Sequence, residues 1–298
     1  MNGTFTILVP LDGSERAASA LPVAADLCER LKGEMALIHV LPLMLMPFEV
    51  NPSYIPPSVY QQIADDQEHL ARADLEQAAV KLRQRGLPAR MYVQRGDPAS
   101  AIADSASASH IRLVVMTSHG RTGLSRFALG SVADRVVRMG AAPVLMLRSY
   151  PDAEPQTELR SALVPLDGSP LAETALFDVA LTLAGAALRQ ITFARVVDPR
   201  DGPEGLAAAE RYLAETRERF IARLDGRDCE VSTLAPVGPV VATLLAAADE
   251  RGADMILMST HGQAGVGRLA FGGVTDRLLR DGRKPLLLVH PPRTEFDR

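Results

Sequence analysis

"ILVPLDGS", Ile7–Ser14, returns in the second half of the chain as "ALVPLDGS", Ala162–Ser169. Each copy is an aliphatic run that stops at Pro-Leu-Asp-Gly, as a buried strand does when it enters a tight turn before a helix. Two further pairs follow in the same order. "RLVVMTSHG" (Arg112–Gly120) is echoed by "DMILMSTHG" (Asp254–Gly262), and "APVLMLR" (Ala142–Arg148) by "KPLLLVH" (Lys284–His290). Self-similarity in unchanged order makes this 298-residue chain an internal duplication, with one domain over 1–148 and a second over 161–292. Between them, "SYPDAEPQTELR" (Ser149–Arg160) is polar, holds two prolines and has no apolar period, so 149–160 reads as a linker.

Each half alternates short aliphatic runs with longer helical patterns. In the first half the strand candidates are Thr4–Pro10, Met35–Val40, Ala89–Gln94, Leu113–Thr117 and Val144–Arg148. They are continuous rather than alternating, as expected of parallel strands buried on both faces. Between the first two, Ala17, Leu21, Ala24, Leu27, Cys28 and Leu31 mark one face of a helix that Pro22 interrupts. In the second half Ser169 and Pro170 read as N-cap and first helical residue. The expected fold class is α/β: two tandem doubly wound, Rossmann-like domains, each with a five-stranded parallel sheet. The halves differ most after their second strands. Leu41–Tyr60 is rich in proline, methionine and aromatics, and reads as an irregular loop over its own domain or as a lid or partner surface; its counterpart, Val197–Leu206, is shorter.

Composition excludes several classes. A net charge of -4 offers no basic footprint for nucleic acid. Two cysteines, Cys28 and Cys229, make no disulfide framework and suit a reducing compartment. The longest apolar runs, such as Val179–Leu188, are too short to span a bilayer, and the first residues do not read as a signal peptide. The expectation is a cytoplasmic protein with no membrane partner.

The third repeated feature carries the chemistry. "SHGRTGLSRFALGSV" (Ser118–Val132) and "THGQAGVGRLAFGGV" (Thr260–Val274) each leave the end of a strand and run into a helix. Ligands of open parallel sheets sit at the carboxyl ends of the strands, where the strand order reverses. The N–H groups of Gly130, Ser131 and Val132 are expected as unpaired donors at a helix N-terminus, with the positive end of its dipole behind them. Arg121 and Arg126 add charge, and Ser131 adds a hydroxyl. The loop is neither a Walker A sequence nor a dinucleotide fingerprint, so a plain tight turn is the competing reading for either copy alone. Asp12 and Asp167 have two readings as well: each caps the following helix, or accepts from a ribose hydroxyl or an adenine amino group. "RGD" at Arg95–Asp97 reads as chance, with Asp97 as an N-cap before Pro98.

These residues together resemble the universal stress protein family, over nearly the whole chain. Its ATP-binding members carry Gly-x-x-Gly, nine residues, then Gly-Ser or Gly-Thr. The spacing holds from Gly120 to Gly130-Ser131, and from Gly262 to Gly272-Gly273. Thr117 and Ser259 stand where that pattern begins with glycine. Gly273 replaces its hydroxyl residue, and Gln263 replaces Arg121, while Arg268 still matches Arg126. The resemblance implies that Pro10, Leu11, Asp12 and Val40 hold adenosine in the first half, and Pro165, Leu166, Asp167 and Val196 in the second. Met116 and Met258 line a base pocket or are strand core. His119 and His261 orient a water for slow hydrolysis or are turn residues. Around the phosphates, the resemblance adds Gly123, Val132, Gly265 and Val274. The implied function is a regulatory or sensor protein that binds ATP, with Mg2+ held through the phosphates and the first domain the stronger site. The implied partnership is pairing of the two domains within the chain through Pro143–Arg148 and Pro285–His290, with a homodimer beyond that. The alternatives are an interaction module whose loops bind no nucleotide, and an adenylating enzyme of the adenine-nucleotide hydrolase-like class, whose serine-rich first loop is missing here.

Overall fold

The structure is a computed structural model; it describes residues 4–43, 57–108, 110–118, 129–148, 157–260 and 272–291. The first half supplies β1 (Thr6–Pro10), β2 (Glu34–Leu41), β3 (Ala89–Arg95), β4 (Ile111–Thr117) and β5 (Val144–Leu147). The second supplies β6 (Ser161–Pro165), β7 (Gln190–Ala194), β8 (Glu230–Leu234), β9 (Met255–Ser259) and β10 (Leu286–Val289). The strands form one ten-stranded sheet in the order β3-β2-β1-β4-β5-β10-β9-β6-β7-β8. Within each half every pairing is parallel, and the halves meet at β5 and β10, which are antiparallel. The two five-stranded sheets are therefore continuous. A bare β5 or β10 would leave a hydrophobic edge with unpaired backbone. Here Leu145 faces Leu287 and Val144 faces Leu288, all buried, and neither edge is left for a second copy.

The first half adds α1 (Glu15–Ala18), α2 (Leu21–Arg30) and α3 (Pro57–Gln84), then α4 (Pro98–Ala106) and α5 (Ser131–Met139). The second adds α6 (Pro170–Leu183) and α7 (Gly202–Ile221), then α8 (Val240–Glu250) and α9 (Gly273–Asp281). Two apolar cores follow, one on each face of the sheet. Residues of α2, α3, α6 and α7 join one; those of α4, α5, α8 and α9 join the other. Both cores run through both halves, which is the doubly wound arrangement.

Some local expectations change. The helix marked by Ala17 to Leu31 is two helices, broken after Ala18, with Pro22 in the first turn of the second. Proline has no N–H to donate, and its ring excludes the carbonyl one turn back. Leu41–Tyr60 is not loop throughout: Leu41 ends β2 and Pro57–Tyr60 opens α3, while 44–56 lie outside the described residues. Val197–Leu206 holds a 3-10 turn, Pro199–Asp201, and the start of α7. β3 is not buried on both faces, because it is an edge strand. Leu159, in the stretch read as linker, is fully buried, and the next residue's backbone N–H donates to Asp254.

The two halves also lock at the ends of their last strands. Arg148, after β5, donates to the carbonyl of Leu278 in α9 at 3.2 Å. His290, at the matching place after β10, lies against Gly140, the left-handed C-cap of α5 (φ 61°). A Cβ at Gly140 would stand 2.6 Å from the imidazole, so the close approach and the left-handed backbone both require glycine there.

Candidate functional site

β1 lies between β2 and β4, so the strand order reverses beside it; β6 lies likewise between β7 and β9. A cleft opens at the carboxyl end of each pair. The first has a volume of roughly 510 Å3 and the second roughly 420 Å3. Pro10, Leu11, Asp12, Val40, Met116, Thr117, Gly130, Ser131 and Val132 all line the first. Pro165, Leu166, Asp167, Val196, Met258, Ser259, Gly272, Gly273 and Val274 all line the second. His119, Gly120, Arg121, Gly123 and Arg126, with His261, Gly262, Gly265 and Arg268, lie outside the described residues.

The aspartate turns are built alike. Gly13 (φ 79°) and Gly168 (φ 83°) take the left-handed conformation that lets the chain turn straight from strand to helix. Asp12 accepts from the Ser14 backbone N–H at 3.0 Å and the Ser14 hydroxyl at 2.6 Å. The same hydroxyl accepts from Ala17 N–H at 3.1 Å, so Ser14, not Asp12, is the cap of α1. Asp167 accepts from Ser169 N–H at 2.9 Å, and the Ser169 side chain makes no cap bond. Each aspartate therefore braces its turn and also faces the cleft.

The opposite wall is a helix N-terminus. Gly130 and Gly272 are the N-caps of α5 and α9, and neither offers a side-chain cap. Their own N–H groups are engaged, contrary to expectation for Gly130. Gly130 donates to Ser118 O at 2.8 Å and Gly272 to Thr260 O at 3.2 Å, which anchors the end of each loop to the residue after its strand. Among the described residues, the N–H groups of Ser131 and Val132, and of Gly273 and Val274, are first-turn donors with no backbone acceptor, and the helix dipole lies behind them. Among the described residues, a Cβ at Gly273 would meet nothing within 4 Å. Thr117 and Ser259 end β4 and β9 and narrow the clefts at the strand ends. Met116 and Met258 are both: buried in the core and lining the clefts.

The profile of the universal stress protein family matches this chain twice, over residues 4–148 and 158–290. The chain belongs to the universal stress protein family. A universal stress protein of Mycolicibacterium smegmatis is 23% identical over 303 residues, covering 96% of this chain and 97% of that protein. The universal stress protein YxiE of Bacillus subtilis is 29% identical over 144 residues, 48% of this chain and 97% of its own. The crystal structure of a universal stress protein from Archaeoglobus fulgidus matches in fold with a TM-score of 0.74 at 21% identity, covering 96% of this chain and 98% of that one. This chain is thus two universal stress protein domains in tandem, fused through one sheet.

Several lining residues of these universal stress protein domains were not singled out from the sequence. Gln67, Leu70, Ala71 and Asp74 of α3 form a wall of the first cleft. His39 and Arg195 hold matching places, since Pro10 pairs with Ile38 and Pro165 with Ala194. His39 is buried, whereas Arg195 is half-buried at the mouth of the second cleft. Glu173 lines the second cleft too, and its carboxylate accepts from the Tyr212 hydroxyl and from Arg219. Burial, and then that bond to Glu173, hold the Tyr212 hydroxyl above its ordinary pKa, so it remains a donor.

Among the described residues no helix is long and apolar enough to cross a membrane.

Proposed function

We propose that this universal stress protein binds adenine nucleotide at its clefts, ATP best at the first, and acts as a regulatory or sensor module with at most slow hydrolysis. One observation carries the reading. Each cleft sets an aspartate turn from the first strand against a helix N-terminus that starts with glycine, at the switch point of a parallel sheet. An anion fits the helix end, and a sugar or base fits the turn and the apolar walls of Leu11, Val40 and Met116. The residues present fit a nucleotide: backbone donors face the cleft, and among the described residues no side chain covers the glycine at Gly273. The bound phosphates would carry Mg2+, which screens their charge.

The order of the sites rests on Ser131 against Gly273. Ser131 supplies a hydroxyl at the first position of α5, which α9 lacks. The setting proposed is the cytoplasm. A calorimetric titration of the full chain with ATP and Mg2+ tests the reading. Binding with one site tighter than the other supports it. Absence of heat, with no nucleotide carried through purification, overturns it in favour of an interaction module.

A further inference from the structure

We propose that the second cleft selects a guanine base, through the paired N–H donors of Arg195, while the first serves adenine. The inference rests on the nucleotide reading above and deepens it.

Arg195 follows directly on the last residue of β7 and lines the second cleft. Its guanidinium lies 4.6 Å from the centre of the Tyr212 ring. A cation held over a ring face in this way keeps its N–H donors available to a ligand. Tyr212 is itself held in place, because its hydroxyl donates to Glu173. The other oxygen of Glu173 accepts from Arg219 at 2.9 Å. The nearby carboxylate is therefore committed elsewhere. Among the described residues, no carboxylate or carbonyl is hydrogen-bonded to the Arg195 guanidinium, whose backbone N–H alone is engaged, with Leu234 O. A half-buried guanidinium that donates only, facing a cavity, calls for a ligand with acceptors.

The rest of the cleft constrains that ligand. The α9 N-terminus, at Gly273 and Val274, takes the anionic end. Leu166, Val196, Leu244 and Met258 line an apolar slot suited to a flat ring. The ring edge that meets Arg195 must then present two adjacent acceptors. Guanine does so with O6 and N7. Adenine sets its N6 amino donor against the guanidinium beside N7, a donor facing a donor. In the first cleft the matching residue is His39, and among the described residues no arginine or lysine lines that cleft. The two clefts of one chain thus share a phosphate end and differ at the base end.

The test uses the full chain, with calorimetric titrations of GTP and of ATP, each with Mg2+, and competition against a fluorescent GTP analogue. The expected result is one site at which GTP binds at least about tenfold more tightly than ATP. Arg195→Gln is expected to weaken GTP there by about tenfold or more and to leave ATP at the other site within about twofold. Arg195→Lys keeps the charge but not the fork, and is expected to lose the same preference with the melting temperature retained. The inference is overturned if ATP and GTP fill the second site alike, or if both Arg195 variants, still folded, bind GTP as the parent does. ATP binding without any GTP preference sinks this inference and leaves the nucleotide reading standing. Failure of both nucleotides removes both.

Discussion

Gly273→Ser is expected to strengthen ATP at the second cleft, and Ser131→Gly to weaken it at the first. Gly273 is the first residue of α9 and matches Ser131, the first residue of α5. Among the described residues, an added Cβ at Gly273 meets no atom within 4 Å, so the serine displaces none of them. Its hydroxyl would stand beside the backbone donors that face the cleft. A hydrogen bond to a charged group is worth roughly 1.5–3 kcal/mol. At a cleft open to water, where solvent screens the phosphate charge, the value falls to the ordinary net of about 1 kcal/mol, or about fivefold in dissociation constant. The helix should not suffer, since replacing glycine removes its excess backbone entropy. Calorimetry with ATP and Mg2+ on the two single variants and the double swap reads both sites. The expected pattern is a gain of about fivefold at the second site and a loss of about fivefold at the first, both present in the double variant. Unchanged affinities in variants whose melting temperatures hold would refute the reasoning. The hydroxyl would then not reach the ligand.

Three other outcomes follow from the same geometry. Gly140→Ala should destabilise the chain by more than about 2 kcal/mol in a denaturant titration, because an L side chain resists a φ of 61° and its Cβ overlaps the His290 ring. Adding His290→Ala should return only the overlap part; full recovery would contradict the left-handed strain. Asp97 caps α4 through Ser100 N–H and pairs with Arg135 on α5, and these bonds, that of Arg135 foremost, lower its pKa to about 2. Its contribution is present above the unfolded carboxylate value of about 3.9 and fades as pH falls toward 2. Asp97→Ala should therefore cost about 1 kcal/mol at neutral pH, with the gap to the parent closing between about pH 4 and pH 2; a gap constant to pH 2 contradicts the linkage. Cys28 is fully buried and its thiol is pushed up to about 11, chiefly by burial, whereas Cys229 is partly exposed. A thiol reagent at pH 8 should label Cys229 first and reach Cys28 only on unfolding; two fast thiols would show that the core beneath α2 opens readily.

The duplication made most of the architecture legible. Repeated "VPLDGS" runs located β1 and β6, and their spacing from the glycine loops placed both clefts at strand ends. What one sequence could not show is what tertiary packing decides. The α3 wall of the first cleft, with Gln67 and Asp74 in it, comes from a helix that carries none of the repeated motifs. The pairing of β5 with β10, by contrast, joins the two strands that the resemblance named, within Pro143–Arg148 and Pro285–His290. Gly130 looked like a free donor because helix starts leave N–H groups unpaired, yet its partner, Ser118 O, lies at the far end of the loop. Arg195 carries its signal in the sequence: a lone charge in the apolar run "ITFARVV", next to Val196, which the resemblance places at the ligand.

A crystal structure grown with ATP and Mg2+ tests the central claim most directly. The account predicts nucleotide in the first cleft, its phosphates at the N–H groups of Ser131 and Val132 and its base or ribose against Asp12 and Val40. A first cleft that stays empty at saturating ATP, or phosphates bound away from the start of α5, would contradict it.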